Sequence, residues 1–207
     1  MKVIRFVNSI FTSNSFILYF EGDNVAWVVD PGDSVPILLW LKKHNKNLRG
    51  ILVTHSHFDH IYGINDLCDN FPEVEIYASI QAREGMFSAK LNSSHYTETP
   101  FVVKCTNIKI VEEPDKILLT ENIYAKVIST PGHNNDCLSF EINQYLITGD
   151  ALIPGIKVYT KSKFGDKLHA KKSIVRIFNS YDNKTLICPG HGDICYLEDI
   201  INSGLHN

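Results

Sequence analysis

The sequence lacks most of what would assign it to a specialised class. No hydrophobic run is long: the most apolar stretches, such as 35–41, fall far short of the roughly 20 residues a membrane-spanning helix needs. No membrane partner is therefore expected. There is no basic surplus either, since 20 Lys and Arg face 23 Asp and Glu for a net charge of −3. Nothing in that balance argues for nucleic acid. The five cysteines, Cys68, Cys105, Cys137, Cys188 and Cys195, are odd in number and lack framework spacing. That pattern fits reduced thiols in a cytoplasmic protein and excludes a disulfide scaffold. Gly/Ser-rich or Pro-rich linkers, charge blocks and low-complexity segments are absent. The first residues, Met1 to Asn8, carry Arg5 inside their apolar run and read as a strand rather than a signal peptide. What remains is 207 residues that are 44% hydrophobic and 21% charged. Such a chain suits a single α/β domain, 1–207, with a sizeable core.

What the sequence does have is concentrated in one stretch, Ile51-Leu-Val-Thr-His-Ser-His-Phe-Asp-His-Ile61. The aliphatic run 51–53 has the β-branched content of a buried strand. Four ligand-type residues follow within six positions: His55, His57, Asp59 and His60. In an extended segment, alternate side chains share a face, so His55, His57 and Asp59 can converge. His60 breaks the alternation, as expected if the chain turns into a helix there. Imidazole and carboxylate together are the ligand set of zinc, iron or manganese. A surface histidine cluster is the plainer alternative, and the rest of the chain argues against it.

Strands are expected at 2–7, 16–20 and 25–29, the last two joined by the Gly22-Asp23-Asn24 turn. A helix over 35–45 follows, with Ser34 as its N-cap and Pro36 in its first turn. Then come a strand at 48–54, a helix at 60–70, a strand at 74–78, a helix at 80–89 and a polar loop at 90–100. The second half reads as short strands at 101–103, 108–111 and 117–119. Firmer strands follow at 123–129, 137–142, 145–148 and 185–188, with helices at 170–180 and 197–201. Strands followed by helices in both halves suggest two packed sheets with helices outside.

Three later segments share one pattern: an aliphatic strand, a glycine-bearing turn, then a ligand-type residue. They are Val127-Ile-Ser-Thr-Pro-Gly-His133, Tyr145-Leu-Ile-Thr-Gly-Asp150 and Thr185-Leu-Ile-Cys-Pro-Gly-His191. Alone, each could be a mere turn. With the first cluster they bring the complement to five histidines and two aspartates, enough for two metal shells. In this order of motifs the chain resembles the metallo-β-lactamase superfold hydrolases. Asp30, His55/His57/Asp59/His60, His133, Asp150 and His191 stand where that family has its Asp, its His-x-His-x-Asp-His and its later His, Asp and His.

The resemblance implies a four-layer αβ/βα sandwich of two mixed β-sheets flanked by helices. It implies two divalent metal ions, zinc or else iron or manganese. His55, His57 and His133 would hold one, Asp59, His60 and His191 the other, and Asp150 would bridge. Asp30 would orient a ligand imidazole, unless it is only a turn aspartate before Pro31. Such a pair of ions shares a lowered-pKa hydroxide, and Asp59 is the carboxylate suited to orient it or relay its proton.

Presences and absences narrow the subfamily. Asp150 matches glyoxalase II-like, lactonase-like and phosphodiesterase-like members, whereas β-lactamases usually carry Cys or Ser there. Di-iron flavoproteins place Glu where His57 stands. Only 16 residues follow His191, too few for the helical substrate domain of glyoxalase II. The expectation is a compact glyoxalase II-like hydrolase of a small ester or thioester, with a mononuclear iron persulfide dioxygenase, or a phosphodiesterase or lactonase of the same fold, as the alternative and a purely structural metal site as a further reading. The chain departs from the glyoxalase II pattern at two points. The third motif continues as His133-Asn-Asn-Asp-Cys137 rather than His-Thr-x-Gly-Ser, and the usual Gly-Arg-Thr-Asp-like stretch after the fourth is missing, which disfavours a glutathione thioester. Asp136 reads as a turn cap or an extra ligand, and Cys137 and Cys188 as small buried hydrophobes. His44, His95, His169 and His206 read as surface or interface histidines, with His95 and His169 as candidate pocket residues. The segment 154–172 carries Lys157, Lys161, Lys163, Lys167, Lys171 and Lys172 against one acid, Asp166, and includes Tyr159. It would recognise an anionic substrate, or it is simply a solvated lysine-rich loop and helix start.

Overall fold

The structure, a computed structural model, describes residues 1–203, and these fall into two compact units that divide after Val111. Each unit is built on one six-stranded mixed sheet. His206, read as a surface histidine, lies outside the described residues.

In the first unit β1 (Lys2–Val7), β2 (Asn14–Tyr19) and β3 (Val25–Val29) form an antiparallel meander. Then β4 (Asn47–Leu52), β5 (Glu75–Ala78) and β6 (Ile108–Ile110) add in parallel. Parallel neighbours need crossovers, supplied by α1 (Ser34–Lys43), α2 (Ile64–Asn70) and α3 (Ile80–Met86). The central strands are aliphatic because both faces are covered; Ile17, Val28, Ile51 and Ile76 are fully buried with Ile37, Ile64 and Leu67 from the helices.

The second unit repeats the scheme. The strands β7 (Lys116–Thr120), β8 (Ile123–Ser129), β9 (Leu138–Ile142) and β10 (Tyr145–Gly149) run antiparallel in sequence. Then α4 (Lys167–Ser180) carries the chain back, so that β11 (Leu186–Pro189) lies parallel to β10. The edge strand β12 (Cys195–Tyr196) and α5 (Leu197–Ser203) complete the unit. Leu146, Leu152, Ile177, Ile187 and Leu197 form its core.

Four expectations need correction. The helix expected over 60–70 is a 3-10 turn at Phe58–His60 followed, after a break, by α2. Gly63 makes the break: its N–H donates to the Pro31 carbonyl, and a Cβ there would sit 2.1 Å from the Gly32 oxygen. The N-cap of α1 is Asp33, not Ser34. The Asp33 carboxylate instead accepts from Ser9 and Tyr62, and the Ser34 hydroxyl donates to Asp66. Residues 101–103 form no strand, because the Phe101 carbonyl is taken by Asn92 and Ser94 side chains. The two-residue β12 was not foreseen; a pair so short leaves no periodic signal. Among the described residues, no helix is long and apolar enough to cross a membrane.

Candidate metal centre

Parallel strands emerge at the same edge of a sheet, which decides what can meet. In the first unit β3 and β4 are parallel neighbours, so Asp30, just after β3, and Thr54 to His60, just after β4, lie at one edge. Asp30 sits at φ 48°, an uncommon conformation that aspartate tolerates better than most residues. Its buried carboxylate accepts the Thr54 backbone N–H at 2.7 Å and the Thr54 hydroxyl at 2.5 Å. The hydroxyl's one proton is thereby committed. Its 3.0 Å contact with His55 Nδ1 must then be a bond donated by the imidazole. That fixes the tautomer of His55 and leaves Nε2 with its lone pair, as a ligand requires. Asp30 Oδ2 also lies 3.4 Å from His60 Nδ1.

The rings of His57 and His60 pack at 4.9 and 4.4 Å from that of His55. His60 Nε2 faces Asp59 Oδ2 at 3.4 Å. The extended alternation expected through Asp59 persists only to His57, whose ψ is 142°; Asp59 and His60 share the 3-10 turn. His55 and His60 are fully buried and Asp59 is 6% exposed. The turn is braced by the Ser13 hydroxyl, which donates to the Asp59 carbonyl at 2.6 Å.

The second unit uses the same device with three strands. Since β9 is antiparallel to both β8 and β10, β8, β10 and β11 all point one way, and His133, Asp150 and His191 follow their ends. One oxygen, Asp150 Oδ2, lies 3.4 Å from His133 Nε2 and 3.6 Å from His191 Nε2. His133 Nδ1 is 2.9 Å from the Tyr159 carbonyl. A carbonyl only accepts, so Nδ1 carries the proton and Nε2 turns its lone pair toward Asp150. Gly132 allows this turn: at φ 144° a Cβ would meet the Ala170 backbone nitrogen at 2.3 Å.

Chemically the donors suit a divalent cation. Neutral imidazole Nε2 atoms and carboxylates, held in buried positions, are borderline-to-hard ligands. Two donors about 2.0–2.1 Å from a tetrahedral ion are ~3.4 Å apart, the spacing seen for His60 with Asp59 and for His133 with Asp150. Within the first unit, Asp30, His55 and His60 also bring one ligand atom each within 4.8 Å of one another.

Other sequence-singled residues lie elsewhere or act differently. Asp136 is buried, with Cys137 Sγ 3.9 Å from its carboxylate. Burial pushes the Cys188 thiol up to about 12, the behaviour of an inert packing residue. None of the five cysteines is in a disulfide. His44 stacks on Trp40; His95 and His169 are exposed, near the Ala89 carbonyl and Asp166 respectively. Thr54 and the Tyr159 carbonyl were not singled out as orienters of ligands. Thr54 could have been, because it ends the strand and abuts a histidine. A backbone carbonyl leaves no trace in sequence.

Comparison with known proteins agrees. The metallo-β-lactamase superfamily model matches residues 10–191. The chain is 29% identical over 155 residues to the hydroxyacylglutathione hydrolase of Pseudoalteromonas translucida (strain TAC 125), covering 75% of this chain and 52% of that protein. It is 31% identical over 144 residues to the enzyme of the same name from Actinobacillus pleuropneumoniae serotype 5b (strain L20), covering 69% and 52%. The chain thus spans about half the length of these curated relatives. Among solved structures, the BLEG-1 B3 metallo-β-lactamase superposes with a TM-score of 0.89 at 24% identity, covering 97% of each chain; at that identity the likeness speaks for the fold. The fold is that of two mixed sheets flanked by helices, and this chain belongs to the metallo-β-lactamase superfamily.

Proposed function

We propose that this enzyme is a metal-dependent hydrolase that cleaves a small ester or thioester, with its two units acting as one metallo-β-lactamase-type domain over 1–207. The observation that carries the reading is Asp150, one of whose oxygens faces the Nε2 atoms of both His133 and His191. A carboxylate so placed is suited to bridge. In this reading, which rests on the order of the motifs, His55, His57 and His133 would hold one ion, and Asp59, His60 and His191 the other. Zinc is the leading candidate, with iron or manganese also compatible with the donors. Bound ions would supply hydroxide at neutral pH and would stabilise the charge that develops on the substrate carbonyl.

The chain's own residues do the rest. Thr54, held by Asp30, keeps His55 in its ligating tautomer, and Tyr159 does the same for His133. Asp59, buried and turned toward His60, is the carboxylate that orients the attacking water and takes its proton. The named activity of the relatives, hydrolysis of hydroxyacylglutathione, supports a thioester.

The test is metal analysis by mass spectrometry on protein purified without chelator or added metal, paired with turnover of S-lactoylglutathione and p-nitrophenyl acetate before and after metal removal. Two ions per chain and hydrolysis that is lost with the metal and restored by it are expected. A single iron, with oxygen consumed and no hydrolysis, would overturn the proposal.

A further inference from the structure

A cavity of about 340 Å³ opens along one face of α4 in the second unit, at the lower end of the size range of small-molecule sites. Its helical wall is made by Lys167, Ala170, Lys171, Ile174, Val175 and Phe178. These positions recur at three- and four-residue spacing and so form a single stripe. Opposite stands the segment after β10, which contributes Lys157, Val158 and Thr160. Of the lysines suggested by sequence, Lys157, Lys167 and Lys171 line the cavity, while Lys161, Lys163 and Lys172 do not.

The wall is asymmetric along the helix. Its N-terminal end carries Lys167 and Lys171, with Lys157 across from them, and no acid lines the cavity. Farther along it is apolar, with Ile174, Val175 and Phe178. Ile174 and Phe178 pack against the unit's core, whereas Val175 is 46% exposed. The N-terminus of α4 is capped by Asp166, whose carboxylate accepts the His169 N–H at 2.8 Å, but Asp166 does not line the cavity, so Lys157, Lys167 and Lys171 face it without an acid among them. An anion at this end would meet the three lysines.

The opposite wall is held in place. Ser162 donates its hydroxyl to the His133 carbonyl at 3.2 Å, the Asp166 N–H donates to the Gly132 carbonyl at 2.8 Å, and His133 Nδ1 bonds to Tyr159. The segment is therefore tied at three points to the turn that carries His133.

We infer that this cavity binds an amphiphilic anion, with its charged head among Lys157, Lys167 and Lys171 and its apolar tail along Ile174, Val175 and Phe178. From Lys171 to Phe178 the helix rises about 10 Å, which sets the length of tail the groove can cover. The inference does not depend on the metal assignment, since every group it uses lies on α4 or on the segment at 157–160.

The test is titration of the full chain with octanoate and with octyl phosphate, followed by amide NMR shifts. Acetate and octyltrimethylammonium serve as tail-less and cationic controls. Both octyl anions should shift residues 157–178, and the stronger binder identifies the head group preferred. Acetate and the cation should bind at least tenfold more weakly. Lys167→Glu/Lys171→Glu and, separately, Val175→Asp should each weaken binding about tenfold, with metal content by mass spectrometry unchanged. Equal binding of the octyl anions and the octyl cation, unchanged affinity in the lysine variant, or no shift at millimolar ligand would each overturn the inference. Absence of bound metal from the wild-type chain, with its anion binding intact, would strike the hydrolase reading alone.

Discussion

The first unit draws four ligand-type side chains from the six residues His55 to His60, while the second draws one from each of three strand ends, at His133, Asp150 and His191. The two also differ in how they hold an imidazole. In the first, a side-chain relay runs from the Asp30 carboxylate through the Thr54 hydroxyl to His55. In the second, a backbone carbonyl, that of Tyr159, does the same for His133. A side-chain relay can be removed by one substitution; a carbonyl can be disturbed only by moving its segment. The first unit is thus exposed to point mutation at its orienting groups, and the second to backbone distortion.

The largest expected effect tests the bridging role proposed for Asp150 in the second unit. Asp150→Ala should lower kcat/KM by about a thousandfold or more, because in the proposed mechanism several kcal/mol of transition-state stabilisation would come from the ions. Bound metal, measured by mass spectrometry, should fall as well. Metal retained at two ions per chain would place the bridge elsewhere.

Next is the relay of the first unit. Asp30→Ala leaves the buried Thr54 N–H and hydroxyl without their acceptor, a loss of about 1–3 kcal/mol. Metal affinity or activity should fall roughly 10–100-fold, as for other partners of ligand histidines. Thr54→Val should reproduce the metal defect with a smaller loss of stability, since the Thr54 backbone bond survives. If Tyr159→Ala were as damaging as Asp30→Ala, the contrast between side-chain and backbone orientation would fail.

The backbone route in the second unit is probed by Gly132→Ala. An added Cβ would press on the Ala170 backbone in a conformation suited to glycine. A loss of about 1–3 kcal/mol, read from denaturant unfolding, is expected. His133 should be displaced with its turn and affinity for metal should weaken, with the other ligands unchanged in identity.

The smallest effect lies away from the ligands. Arg176 pairs with Glu113 through both guanidinium nitrogens and holds that carboxyl below its ordinary value. Both groups are partly exposed, so Glu113→Gln should cost only about 0.5 kcal/mol at neutral pH. A depressed carboxyl contributes stability above its unfolded pKa of about 4.3 and loses it as pH falls through the lower folded value. Wild type and variant should therefore converge in acid unfolding experiments. A difference that persists there would show that the Glu113 bond to the Ser129 N–H, not the ion pair, carries the effect.

The alternation of apolar residues makes β8 and β9 legible in the amino-acid order, and β10 shows as a short buried run ending in a glycine. The crowding of His55, His57, Asp59 and His60 is equally visible, because ligands on one short segment need no knowledge of the fold. Less visible is the break at Gly63, which depends on the carbonyls of Pro31 and Gly32 reaching it from the other side of the β3–β4 edge.

By itself the sequence determined most of the strands and helices and the ligand types, for these follow from periodicity, turn residues and donor chemistry within a few residues of one another. Only the tertiary structure decided which way each donor points. The Nδ1 proton of His55 is placed by an aspartate 25 positions earlier through Thr54, and that of His133 by a carbonyl on the segment after β10. A tautomer is set by whatever group lies opposite the ring, and that group reaches it through space, not along the chain.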